Sequence, residues 1–153
     1  MNFINFSNHP TNKWDEKQLG KAKEFGEIVD VPFPNIPPEF SHEDVRELIS
    51  NALGAGLFYY NSEGECNVQR KNVTLHVMGE MAGFFEAVIF AFTSRVFDRV
   101  VVSTTNRRVV EKDGVKVSIF EFVKFREIKN PLPEIIENAF KEARSSGATV
   151  EVF

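Results

Sequence analysis

A three-layer α/β sandwich of the Rossmann-like kind, its sheet mostly parallel with an antiparallel hairpin at one side, is the fold this sequence predicts. Three observations carry it. Short apolar strands alternate with segments of helical periodicity, the order that builds a parallel sheet with crossover helices. Capping residues, glycines and prolines punctuate the boundaries of those segments. Asp113-Gly114 separates two β-rich runs, the signature of a tight antiparallel turn.

Asn2–Phe6 reads as the first strand, and Ser7-Asn8-His9-Pro10-Thr11-Asn12 as the polar turn after it. A helix begins near Asp15, with Gln18 three residues on in a capping-box pattern, and Trp14 and Leu19 at staple positions. Gly26 ends that helix, and Glu27–Val31 forms a second strand stopped by Pro32, Pro34, Pro37 and Pro38, none of which can donate to a ladder. Ser41 caps a second helix, with Val45, Leu48, Ile49 and Ala52 at core spacing to Leu53 or beyond. Residues 54–72 read either as an extension of that helix or as a hairpin over Leu57–Tyr60 turning at Asn61–Gly64. Asn72–Met78 is a third strand. The helix from Glu80 to Ser94 is apolar on nearly every side, so it is either deeply buried or covered by a second subunit. Arg99–Thr104 is a fourth strand, and Val109–Lys112 with Val115–Ser118 the hairpin, its second arm running on to Ile128. Pro131 and Pro133 open a last helix stopping at Gly147, before a final strand, Thr149–Phe153. With neither repeat nor linker, residues 1–153 are expected to form one domain.

Composition narrows the function classes. Apolar residues at 42 % and charged residues at 26 % are globular values, and sixteen phenylalanines suggest a thick core or an apolar subunit contact. No apolar run reaches the roughly 20 residues of a membrane span. Cys66 is alone, so an intrachain disulfide and a cysteine zinc site are excluded, and a cytoplasmic location is the default. The net charge of −4 falls wholly within residues 1–76 and argues against wrapping long nucleic acid. Arg107, Arg108, Lys112 and Lys116 form a local basic spot suited to a small anion. Dinucleotide fingerprint, P-loop, zinc-protease helix and nucleophile elbow are all missing, and no cofactor or metal is expected.

In open parallel sheets ligands bind beyond the carboxyl ends of the strands. Three such ends are legible: Ser7–Thr11, Gly79-Glu80-Met81, and Ser103–Arg108. Helix N-termini adjoin the first two and offer free N–H groups, and Gly79 would admit a ligand close to the backbone. Each candidate has a plainer reading. His9 either faces the crevice or is a turn histidine in solvent. His76 reads as a hydrogen-bonded sheet histidine and His42 as a surface residue beside its cap. Trp14 is a staple or a base-stacking platform. Thr104 and Thr105 suit a strand end by β-propensity alone. Arg108 and Arg126 are either ligand contacts or solvated charges, and Glu80 at a helix start is favoured by the dipole in any case.

Two segments carry a family resemblance. One is Asn5-Phe6-Ser7-Asn8-His9-Pro10-Thr11 leading to the proline-rich 32–38; the other is Ser103-Thr104-Thr105-Asn106-Arg107-Arg108-Val109-Val110-Glu111, continuing to Phe122-Val123-Lys124-Phe125-Arg126-Glu127. Together they resemble small stand-alone type III CRISPR-associated proteins with a CARF-like (CRISPR-associated Rossmann fold) domain, over about residues 3–128. The resemblance implies a homodimer whose cleft binds cyclic oligoadenylate, tetra-adenylate being favoured, and for several such proteins a ring-nuclease activity that linearises it. A ribose 2′-hydroxyl can attack the adjacent phosphorus without a metal if a base takes its proton and cations steady the oxyanion. On this expectation His9 is base or acid, Arg107 clamps phosphate with help from Arg126, and Thr104, Thr105 and Asn106 bind phosphate or ribose. Ser7, Asn8, Thr11, Gly79, Glu80 and Arg108 lie beside them. A sensor or sponge that binds without cutting, and an interaction protein using the phenylalanine-rich helix, are the competing expectations.

Overall fold

The computed structural model describes residues 2–57, 72–94, 96–112 and 114–145. Its strands are β1 (Asn2–Ser7), β2 (Glu27–Pro32), β3 (Val73–Met78), β4 (Arg99–Lys112) and β5 (Val115–Ile128). Its helices are α1 (Glu16–Lys23), α2 (His42–Leu57), α3 (Met81–Ser94) and α4 (Leu132–Ser145), with a 3-10 turn at Thr11–Lys13. The strands make one sheet in the order β2-β1-β3-β4-β5. Neighbours are parallel throughout except β4 and β5, which are antiparallel. The mostly parallel α/β sandwich expected from the sequence is therefore the fold. The hairpin considered for 57–64 and the strand considered for 149–153 lie outside the described residues, apart from Leu57, which ends α2.

The period of two along a strand divides the core. On β1, Ile4 and Phe6 face α2 and α3 with Leu75, Val77, Ile49, Leu53 and Ala87. Phe3 faces the other way, toward α1, with Ala22, Val101, Trp14, Phe25 and Phe125. β1 and β3 are buried on both faces, as central parallel strands are. Asp15 caps α1 by accepting the Gln18 amide at 2.7 Å. At α2, Ser41 Oγ accepts the Asp44 N–H while Asp44 Oδ2 accepts the Ser41 N–H, a reciprocal cap. The Ser41 hydroxyl, donating to Asp44 Oδ2 at 2.8 Å, and then the Ser41 N–H hold the Asp44 carboxyl below the usual range.

α3 is neither wholly buried nor wholly covered by this chain. It packs through its small face, with Gly83, Ala87 and Ala91 buried. Met81, Phe85 and Ile89, one turn apart, stay exposed at 78 %, 55 % and 39 %. The close approach is made by the proline-rich segment, since a Cβ on Gly83 would lie 2.5 Å from Ile36 Cδ1 and 2.7 Å from the Phe33 ring. Gly83→Ala should therefore overpack this contact and lower stability by about 1–3 kcal/mol, read as a lower urea midpoint; an unchanged midpoint would mean that Phe33 and Ile36 yield freely. Glu86, also buried, is held by Arg46 Nε at 3.2 Å and contacted by His42 Nε2 at 2.8 Å, so His42 is more than a bystander at the cap.

The largest departure from expectation concerns residues 103–108. They are not a loop at a strand end. β4 runs unbroken for 14 residues, paired along its length with β5 and bulged between Thr104 and Thr105. β4 pairs with β3 only over Arg99–Val101, so its outer part, with β5, forms a two-stranded ribbon beyond the carboxyl edge of the parallel sheet.

Candidate functional site

The ribbon overhangs a crevice of about 670 Å³ at the carboxyl ends of β1 and β3 and beside the middle of β4, on the α1 face of the sheet. It is lined by His9, Lys13, Trp14, Asp15 and Gln18 from the first turn and helix, by His76, Met78, Ser103 and Thr105 from the strands, and by Phe120 and Phe122 from β5. The chain passes from β1 outward to β2 and then back across to β3, so the His9 turn flanks the topological switch point where open sheets bind ligands. A smaller hollow of about 400 Å³ lies at the start of β4, lined by residues such as Phe97, Arg99 and Asn130.

The His9 turn is fixed by its own backbone. The His9 carbonyl accepts from Ser7 Oγ at 2.9 Å, Asn5 Nδ2 at 3.0 Å and Trp14 Nε1 at 3.1 Å. Trp14 also stands edge-on to His76 with ring centres 5.4 Å apart, forming a wall of the crevice. Beneath lies a polar chain, buried at its centre. Asn5 and His76 are paired residues of adjacent parallel strands, each about 1 % exposed. Asn5 Nδ2 donates to Asp30 Oδ1 at 2.6 Å, which leaves Oδ1 as the acceptor facing His76 Nδ1 at 2.8 Å. His76 Nδ1 therefore carries the hydrogen, and its Nε2 lone pair accepts Ser103 Oγ–H at 2.8 Å. Gln18 Nε2 donates to the same hydroxyl at 3.2 Å. Thr11 Oγ1 closes the far end by donating to Asp30 Oδ2 at 2.7 Å. Burial, helped by the neighbouring His9, pushes the His76 imidazole down to about 3, so it is neutral at physiological pH.

Of the residues singled out from sequence, His9 and Thr105 line the crevice. Arg107 stands opposite the lining residue Phe120, its guanidinium 5.9 Å from that ring. It is engaged with Ser118 Oγ at 2.9 Å, at the outer rim. The rest lie elsewhere. Ser7 is buried within the turn, Asn8 is exposed beside it, and Thr11 is spent on Asp30. A Cβ on Gly79 would meet the Phe33 ring at 2.5 Å, so a side chain of this protein, and no ligand, occupies that approach. Glu80 caps α3 through Gly83 N–H at 3.0 Å, and backbone N–H groups of Gly83, Ala82 and Met81 hold its carboxyl low. Thr104 donates to the Lys124 carbonyl, Arg108 pairs with Glu121, and Asn106 sits opposite Glu121 in the ladder. Arg126 pairs with Val102, on the face opposite Phe125, and so points away from the crevice.

Sequence reasoning named Ser103 only within a strand end and read His76 as a hydrogen-bonded sheet histidine, which it is; it gave neither of them, nor Asn5, Gln18 or Lys13, a role in the site. The signal was present in principle, because Asn5 and His76 are polar residues in the two most apolar strands, and buried polar groups need partners. Among the described residues no group of three or more His, Cys, Asp or Glu side chains could hold a metal ion, and no helix is long and apolar enough to cross a membrane. A family model described as "Uncharacterized protein MJ1673 family" matches residues 1–126, a span that contains every residue lining the crevice. No curated protein and no solved structure matches the chain.

Proposed function

The chain belongs to the MJ1673 family, and we propose that its crevice binds cyclic oligoadenylate, the second messenger of type III CRISPR systems, and cleaves it by attack of a ribose 2′-hydroxyl. The observation that carries this reading is the pairing of aromatic walls with proton-transfer groups in one crevice. Trp14, Phe120 and Phe122 offer faces on which adenines stack. Lys13 and His9 supply the positive charge and the exchangeable proton that phosphate chemistry needs, and Arg107 at the rim clamps phosphate once it leaves Ser118. Gly79, Glu80, Thr104, Asn106, Arg108 and Arg126 have no part in this version, being engaged or directed elsewhere. The exposed Met81–Phe85–Ile89 stripe is the surface on which a second copy would sit, on the sheet face opposite the crevice.

Incubation with cyclic tetra-adenylate and chromatography of the products tests the reading. Linear product from the wild type, reduced at least a hundredfold in His9→Ala, is the expected result. Intact ligand retained by the protein would make it a binder, and absence of any thermal stabilisation by the nucleotide, where a ligand at a hundred times its dissociation constant adds about 2.7 kcal/mol, would end the nucleotide reading. Arg107→Ala should weaken binding; unaltered affinity would place the clamp elsewhere. Sizing as a monomer at micromolar concentration would count against the dimer.

A further inference from the structure

We propose that Ser103 and His76 form the proton-accepting half of the catalytic machinery, the substrate hydroxyl passing its proton to Ser103 Oγ as Ser103 passes its own to His76 Nε2. The proposal rests on the cleavage reading above and assigns what that reading left open, namely which group is base and which is acid.

Geometry comes first. Ser103 lines the crevice, and its hydroxyl lies 2.8 Å from His76 Nε2. Its oxygen has two lone pairs. One accepts from Gln18 Nε2, and the other is available to a hydroxyl entering the crevice. The tautomer is the required one, because Asn5 Oδ1 takes the Nδ1 hydrogen and leaves Nε2 as the acceptor. Nucleophile-side hydroxyl, base and orienting group thus stand in the order that serine-type active sites use, with Asn5 held in turn by Asp30 at 2.6 Å.

Burial and the His9 charge disfavour an imidazolium at His76, so it forms only transiently, as His9 gives up its own proton in the same step. His76 is stacked on Phe3 with centres 5.8 Å apart and meets the edges of Trp14 and Phe125; the Phe3 face attracts a cation. The Asp30 carboxylate lies one amide farther along the chain of hydrogen bonds. Two histidines in one crevice with contrasting surroundings, His76 buried and His9 exposed, divide acid from base. The 2′-oxygen bonds to phosphorus as its proton moves to Ser103 Oγ and the Ser103 proton to His76 Nε2. The bond from phosphorus to the 5′-oxygen breaks, and that oxygen takes the proton of the His9 imidazolium. Products are a 2′,3′-cyclic phosphate and a 5′-hydroxyl. The proton on His76 returns through Ser103 to water, and His9 recovers one from solvent.

The experiment compares wild type, Ser103→Ala, Ser103→Thr and His76→Gln with cyclic tetra-adenylate, reading thermal stabilisation by the ligand and single-turnover cleavage separately. Ser103→Ala and His76→Gln should be stabilised as the wild type is, yet cleave about a hundredfold more slowly or worse, and Ser103→Thr should recover most of the rate. Residual cleavage by His76→Gln should climb about tenfold per pH unit as hydroxide replaces the lost base, a slope the wild type lacks. Wild-type rates in Ser103→Ala would overturn the relay, as would a His76→Gln profile parallel to that of the wild type. Ser103→Ala decides the matter alone if His76→Gln does not fold. An inactive wild type also overturns it, but by removing the cleavage reading itself, which the wild-type lane shows without any variant.

Discussion

Phe3→Ala should lower the free energy of unfolding by about 3–5 kcal/mol, the usual cost of emptying a buried phenylalanine site, and the melting temperature by roughly ten degrees. Phe3 is fully buried at the centre of the α1-side cluster. Its ring lies 5.1 Å from Phe125, 5.7 Å from Phe25 and 5.8 Å from His76, centre to centre, with Trp14 at 6.2 Å. These neighbours come from four different elements and loops, so no single shift can close the cavity left behind. The measurement is urea denaturation beside Phe85→Ala, whose side chain is 55 % exposed on α3 and which should cost far less. Equal losses in the two variants would contradict the placement of the core. Function should suffer too, since Phe3 is the surface on which His76 rests and His76 is part of the crevice floor.

How much of this was legible beforehand differs from element to element. β1 and β3 declare themselves because a strand buried on both faces is a short, nearly continuous apolar run. Asp15 and Ser41 mark helix starts because a side-chain oxygen before an amphipathic run has an orphan N–H to satisfy. Gly79 was misread for a physical reason: a glycine reports only that something comes close, and here that is Phe33. Thr104–Arg108 misled in a similar way. Local polarity suggested a strand end, yet each of these backbones is paired across to Glu121–Lys124 and Ile119–Phe120. Pairing between segments some fifteen residues apart leaves no local mark on composition. The floor of the crevice was hidden for the same cause. Asn5, His76 and Ser103 are separated by 71 and 27 positions, and only the register Asn5↔His76 brings them into one hydrogen-bonded chain.

That chain also makes the fold sensitive to acid. Stability should fall as pH is lowered from 6.5, and His76 should account for most of the loss down to about 4.5. In the folded protein burial, with the His9 charge beside it, keeps the imidazole neutral down to about 3, whereas in the unfolded chain it takes up a proton near 6.5. Between those values the unfolded state binds one more proton than the folded one, so the free energy of unfolding increases with pH. The contribution is complete above 6.5 and is lost on the way down toward 3. Its slope is about 1.4 kcal/mol per pH unit well inside the window, or roughly 2–3 kcal/mol by pH 4.5. Asp44 and Glu80, whose carboxyls are held low by their caps, act in the same direction only below their ordinary values of 3.8 and 4.5. The interval above 4.5 therefore isolates the histidine. Urea midpoints at pH 7, 6, 5 and 4.5 give the slope directly. His76→Gln can still accept from Ser103 and donate to Asn5 but cannot titrate, so its profile should be shallower by about that amount. An equal slope in the variant would move the titrating group elsewhere. The same burial makes the fold acid-labile and keeps Nε2 unprotonated at neutral pH, where it accepts the hydrogen bond from Ser103.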